Sequence, residues 1–333
     1  MNPSDKELEA DSHDRILRSR EADVDRLMEQ LNTVTACDQA AARLVCCGTR
    51  VIPALRRFLF EGRPSVVYQP RRAAVEALGE LGAKDILVQY LMWKREIKDP
   101  ATRFGEESVR NAAARELVKF RSKDVLDVLL GFALPQLQPG IVEALAQFGP
   151  IEAIPYFLRA LEDDLCQAAA MDGLRSFGRG AELALVVSAL TRLPSSEEER
   201  PSSRRRRAKV LELLAEIGPS STSWPLLRRL LDEDDAAIIT ATAKIAIPLG
   251  NGEDRTSTVR KLLAVLPRAD WFLREEIQNC LVELYPDAQL LIEQESAKRS
   301  GLPQVERIMD STLRVLENVR RRVEQGMPKA QQT

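Results

Sequence analysis

The chain has 333 residues, with 48 Lys and Arg against 50 Asp and Glu and a formal net charge of −2. That balance gives no chain-wide field to gather nucleic acid or an anionic membrane. The single histidine, His13, lies near the N-terminus, which argues against His-based metal binding and catalysis.

In chain order, residues 1–12 are polar and acidic and read as a disordered tail. Over 13–34, Ile16, Leu17, Val24, Leu27, Met28 and Leu31 recur at helical spacing, which predicts an amphipathic helix capping the array that follows. From 35 to 295 one degenerate unit recurs. Its clearest copy runs from Arg71 to Gly82: Ala74, Ala77, Leu78 and Leu81 make one apolar stripe, and Gly82 stands where a left-handed C-cap needs no Cβ. A second apolar helix, Ile86 to Leu91, then packs back antiparallel. Two such helices cannot bury their faces alone, so the unit needs stacked neighbours.

A Leu four residues before a Gly anchors each copy: Leu44 and Gly48, Leu78 and Gly82, Leu145 and Gly149, Leu174 and Gly178, Leu214 and Gly218. Leu117 pairs with Ser122 one position late. Ala246 with Gly250, and Val282 with Pro286, fit more loosely. Pro53, Pro155 and Pro225 mark the first turn of the second helix, where a missing amide costs nothing. Repeat one spans about 35–62 and is broken by Glu61-Gly62-Arg63-Pro64; repeat two spans about 70–93. Residues 94–108 read as a polar insertion, 109–192 as repeats three to five, and 193–203 as an exposed loop leading into Arg204-Arg205-Arg206-Arg207, which opens repeat six. Repeat seven covers about 236–267 and repeat eight about 272–295. Residues 301–325 form a last amphipathic helix carrying Val305, Ile308, Met309, Leu313, Leu316, Val319 and Val323, before a disordered tail at 326–333. Strand signal is almost absent; Val66-Val67-Tyr68 is the nearest to it.

The pattern Val109-Arg110, Ala113, Leu117 resembles the HEAT-repeat family. Ala77-Leu78-Gly79-Glu80-Leu81-Gly82, with Ile154-Pro155-Tyr156-Phe157-Leu158, is similar to its phycobilisome-lyase-type HEAT-like subgroup. The resemblance covers roughly 35–295. It implies an all-α, armadillo-like architecture: a right-handed α-solenoid of about eight helix pairs with helical caps, the first helix of each pair lining a concave face. Because the repeat serves many unrelated roles, it fixes no activity. The lyase-type form raises tetrapyrrole (bilin or haem) handling as one alternative, and HEAT-like DNA glycosylases raise nucleic-acid binding through arginines as another. Some HEAT-repeat enzymes hold iron through His-Glu pairs, and no such pair is present here.

No Gly-x-Ser-x-Gly elbow, phosphate-cradling Gly-Lys-Ser/Thr or dinucleotide fingerprint occurs, so neither enzyme activity nor a cofactor or metal is expected. Asp232-Glu233-Asp234-Asp235 lacks the glycine and spacing of a calcium loop and reads as the N-cap of the next helix, as does Asp163-Asp164. Cys37, Cys46, Cys47, Cys166 and Cys280 are odd in number and read as small core residues in a reducing compartment; Cys46-Cys47 lacks Cys-x-x-Cys spacing. With no signal peptide and no run long enough to span a bilayer, a cytoplasmic protein is expected.

Numbering each first helix from eight residues before its anchor puts apolar residues at positions one, five, eight, nine and twelve, with position seven pointing away from them. Position seven reads Ala42, Glu76, Arg115, Glu143, Asp172, Glu212, Lys244, Cys280. Acids outnumber bases there, which argues against a groove for duplex DNA. Position two gives Arg71, Arg110 and Arg207, expected to bridge to a neighbouring repeat's acid or carbonyl. The chain is therefore expected to be a non-enzymatic scaffold that binds a protein or peptide through Arg72, Glu76, Arg115, Glu143, Asp172, Arg175 and Lys244. Arg204, Arg205, Arg206 and Arg207 form a candidate anion patch.

Overall fold

The computed structural model describes residues 22–133, 137–194, 198–304, 306 and 310–326. Among these the protein is all-helical; the one trace of strand pairing is an isolated bridge between Pro194 and Glu199. The chain divides into two compact units, Met1–Tyr156 and Phe157–Thr333. The expected disordered tails, His13, and Ile16, Leu17, Val305, Ile308 and Met309 of the terminal helices lie outside the described residues, apart from Gly326, a turn residue.

The first unit holds α1 (22–31), with Leu27 and Leu31 buried. It continues through α2 (Cys37–Cys46), α3 (Ile52–Phe60), α4 (Gln69–Glu80), α5 (Lys84–Met92), α6 (Pro100–Leu117), α7 (Lys123–Ala133) and α8 (Pro139–Phe148). The first helices α2, α4, α6 and α8 pack in sequence order, and the second helices α3, α5 and α7 do the same. The unit boundary falls within α9 (Ile154–Ala160). The second unit adds α10 (Gln167–Phe177), α11 (Glu182–Leu190), α12 (Pro201–Ile217), α13 (Trp224–Leu227), α14 (Ala236–Leu249), α15 (Gly252–Val265), α16 (Trp271–Ser300) and α17 (Ser311–Glu324). Here α10, α12, α14 and α16 pack in order, and α17 lies against α16.

The anchors explain this regularity. Leu44, Leu78, Leu117, Leu145, Leu174, Leu214 and Ala246 are all fully buried. Gly48, Gly82, Gly149, Gly178 and Gly218 all have positive φ, the backbone that ends a helix and turns the chain back. In repeat three that conformation falls on Arg121, at φ 40, and not on Ser122; the four-residue offset from Leu117 is kept, and a non-glycine residue bears the strain. Pro53, Pro155 and Pro225 sit in the first turns of α3, α9 and α13 as expected.

Four boundaries differ from the sequence reading. The last helix starts at Ser311, with Asp310 as its N-cap, and not at 301. Most of the 94–108 insertion is helix, because Asp99 caps Thr102 and Pro100 opens α6. Helix α12 likewise starts at Pro201, three residues before the arginines. The eighth first helix continues to Ser300, with Pro286 inside it and a bend at Ala288 (φ −142, ψ 24), where the proline removes a ladder bond. Helix interiors also meet closely: a Cβ on Gly140 of α8 would collide with the Asn111 backbone of α6.

Candidate interaction face

Position two behaves as its spacing predicts. Arg71 donates to the carbonyls of Phe58 and Leu59, the last turn of α3, and pairs with Glu106 of α6. Arg110 donates to Trp93 O at 2.7 Å, just past α5. Arg207 donates from Nε to Ala189 O at 2.7 Å in the last turn of α11, and to Glu199 and Glu233 at 2.7 and 2.6 Å. Each guanidinium thus closes the carbonyl end of a preceding second helix, where backbone acceptors lack partners and the dipole is negative. The Tyr90 hydroxyl joins the first network through Glu106, and burial pushes its pKa up.

These contacts correct the anion patch. Arg207 is 0% exposed, and Arg206 is buried on Glu162 and Thr191 O. Arg204 and Arg205 stay partly exposed, paired with Glu198 and Asp164. The α12 arginines therefore point in different directions, as residues in succession on a helix must, and the two that pack inward are needed by the fold. Burial works to raise the Glu233 carboxyl, but hydrogen bonds from Arg207 and Arg192 outweigh it and hold its pKa below the usual value. Nearby, Asp235 caps α14 through Ala237 and Ile238; Asp163 instead accepts from Leu165 and Cys166 in the turn before α10, whose N-cap Cys166 makes no side-chain cap bond. The carboxylates around the ≈ 940 Å³ cleft lined by Arg192, Glu199, Glu233, Asp234, Asp235 and Arg268 thus largely serve the fold.

Position seven lies outward in every first helix except the last. Cys280 is buried, because the apolar stripe of α16 runs through Ile277, Cys280, Leu281 and Leu284. The anchor is therefore Leu281, not Val282, and position seven is Asn279, which accepts from Arg322 of α17 at 2.7 Å. The candidate residues are ordered by ion pairs between consecutive first helices. In the first unit Arg115 of α6 holds Glu143 of α8 through a two-pronged contact, and Lys119, in the 3-10 turn that follows α6, reaches Glu80 of α4 at 2.7 Å. In the second unit Arg175 of α10 holds Glu216 of α12 at 2.8 Å and Asp172 beside it, and Lys244 of α14 holds Glu276 of α16 at 2.9 Å. Arg72 and Glu76 pair within α4 at 3.3 Å.

The partners Glu80, Lys119, Glu216 and Glu276 were not picked out by spacing alone. They stand one turn before or after position seven, on the same helix face. Their electrostatics follow from the contacts. The bond from Lys119 lowers the Glu80 pKa, and the bond to Glu143 raises that of Arg115. Burial raises Glu116, with Lys119 acting against it.

Cys37, Cys166 and Cys280 are buried, while Cys46 is exposed and Cys47 half-buried at the end of α2. Among the described residues no cluster of His, Cys, Asp and Glu could hold a metal ion, and no helix is long and apolar enough to cross a membrane.

No family model matches the chain, and no curated protein matches it. One solved structure, described as an engineered protein, aligns with 80% of this chain and 98% of its own at 15% identity, with a TM-score of 0.26.

Proposed function

We propose that the protein is a non-enzymatic, cytoplasmic scaffold or adaptor whose helix pairs stack as HEAT-like repeats. It binds a protein or peptide partner along the outward face of its first helices. The observation that supports this reading is the set of half-exposed ion pairs joining one first helix to the next: Arg115 with Glu143, Arg175 with Glu216, and Lys244 with Glu276. Exposed pairs of this kind contribute about 0–1 kcal/mol each, so they are a weak device for stability. Within each unit they do hold charges of both signs in a fixed pattern at the spacing of its helices. A partner carrying the mirrored pattern exchanges one set of pairs for another, gaining orientation and selectivity against wrong partners more than raw affinity. The five free cysteines fit a reducing compartment.

Affinity capture from source cells, followed by mass spectrometry, tests the reading. A partner lost on charge reversal at Arg115 and Asp172 supports it, and capture indifferent to both reversals removes it.

A further inference from the structure

We infer that the groove between α15 and the C-terminal half of α16 is a docking site for an acidic peptide segment of a partner protein, anchored by an apolar side chain. This goes beyond the first-helix face and uses none of its residues. The bend at Ala288 redirects α16, and the two helices pack along a shallow groove of ≈ 540 Å³. Arg260, Leu263 and Ala264 fall three and four residues apart on one face of α15, and Leu291, Gln294 and Lys298 do the same on α16. Leu263, Ala264, Pro267 and Leu291 supply an apolar floor.

The rim decides the occupant. Arg299 is engaged by Glu295 at 2.7 Å and by Asp310 at 3.0 Å, so the groove's one carboxylate is already answered within the chain. Among the described residues neither Arg260 nor Lys298 has an acid within ion-pair distance. Two uncompensated cations above an apolar floor complement a segment that alternates carboxylates with a Leu, Ile or Met, the pattern of peptide-in-groove recognition. A nucleic-acid strand would want aromatic platforms for its bases, and the groove lining has none.

A peptide library displayed on phage and panned on the intact chain tests this. The expected result is enrichment of sequences combining Asp or Glu with a large aliphatic residue, whose binding falls at least tenfold in Arg260→Glu/Lys298→Glu. Both side chains are at the surface, so this double variant should keep the parent's thermal midpoint, and Leu263→Ser alone should weaken the same peptides. Enriched peptides without acidic bias, or acidic peptides held equally by the double variant, overturn the site. Peptides lost instead on reversal at Arg115 and Glu143 also overturn it, while supporting the first-helix face. A single-stranded oligonucleotide whose binding depends on Arg260 and Lys298, where no peptide's does, overturns it too.

Discussion

Arg207 and Ala189 are joined by a 2.7 Å hydrogen bond from the guanidinium Nε to a main-chain carbonyl in the last turn of α11. The remaining nitrogens reach Glu199 and Glu233, so one fully buried cation ties α12 to the end of the preceding helix and to the two loops beside it. Replacing it with Met should cost about 3–5 kcal/mol, because the poorly exposed Glu199 loses its cation and Glu233 keeps only Arg192. Arg207→Lys should recover only part of that, since an ammonium cannot span the same fork of acceptors. Urea midpoints of the three proteins measure the order.

The same network sets an acid limit. The folded-state pKa of Glu233 is lowered, so its contribution is present above the ordinary glutamate value of about 4.3 and is lost as pH falls through the folded value. Asp310 and Glu182, also lowered, act in the same direction. Stability should therefore drop on acidification below about pH 5, and Glu233→Gln should flatten that slope. Denaturation midpoints taken from pH 7 down to pH 3 report it; parallel curves would contradict the role given to Glu233.

Arg121 offers the opposite sign. Its left-handed backbone costs a side-chain-bearing residue about 1–2 kcal/mol, while glycine loses about 0.5–1 kcal/mol more chain entropy on folding. Arg121→Gly should stabilise the protein by up to about 1 kcal/mol, read as a rise in thermal midpoint.

Within the helices, Leu145→Ala should cost about 2–5 kcal/mol through the cavity it leaves. Gly140→Ala should destabilise by about 1–3 kcal/mol despite alanine's better helix propensity, because the methyl group enters the Asn111 backbone. Leu183→Ala, at a side chain 78% exposed, should change the midpoint little.

The anchors were legible because one residue type answers one backbone demand: a glycine four residues past a leucine announces both a buried stripe and a left-handed turn. Position seven was legible for the same geometric reason, until the α16 register slipped by one and hid Asn279 behind Cys280. The fates of Arg206 and Arg207 were not legible as a pair. A run of four arginines looks like a surface patch, and only the turn of the helix, with acids supplied from residues 162, 199 and 233, sends two of them inward. Gly140 is not legible in the sequence, because nothing local marks it; its reason is the neighbouring helix.

The central proposal is that the outward face of the first helices is the binding face, and the double variant Arg115→Glu/Asp172→Arg tests it most directly. Its affinity for a captured partner should fall by at least tenfold, about 1.4 kcal/mol, while the thermal midpoint stays close to the parent's, as expected for half-exposed pairs. Unchanged affinity in a folded double variant would contradict it.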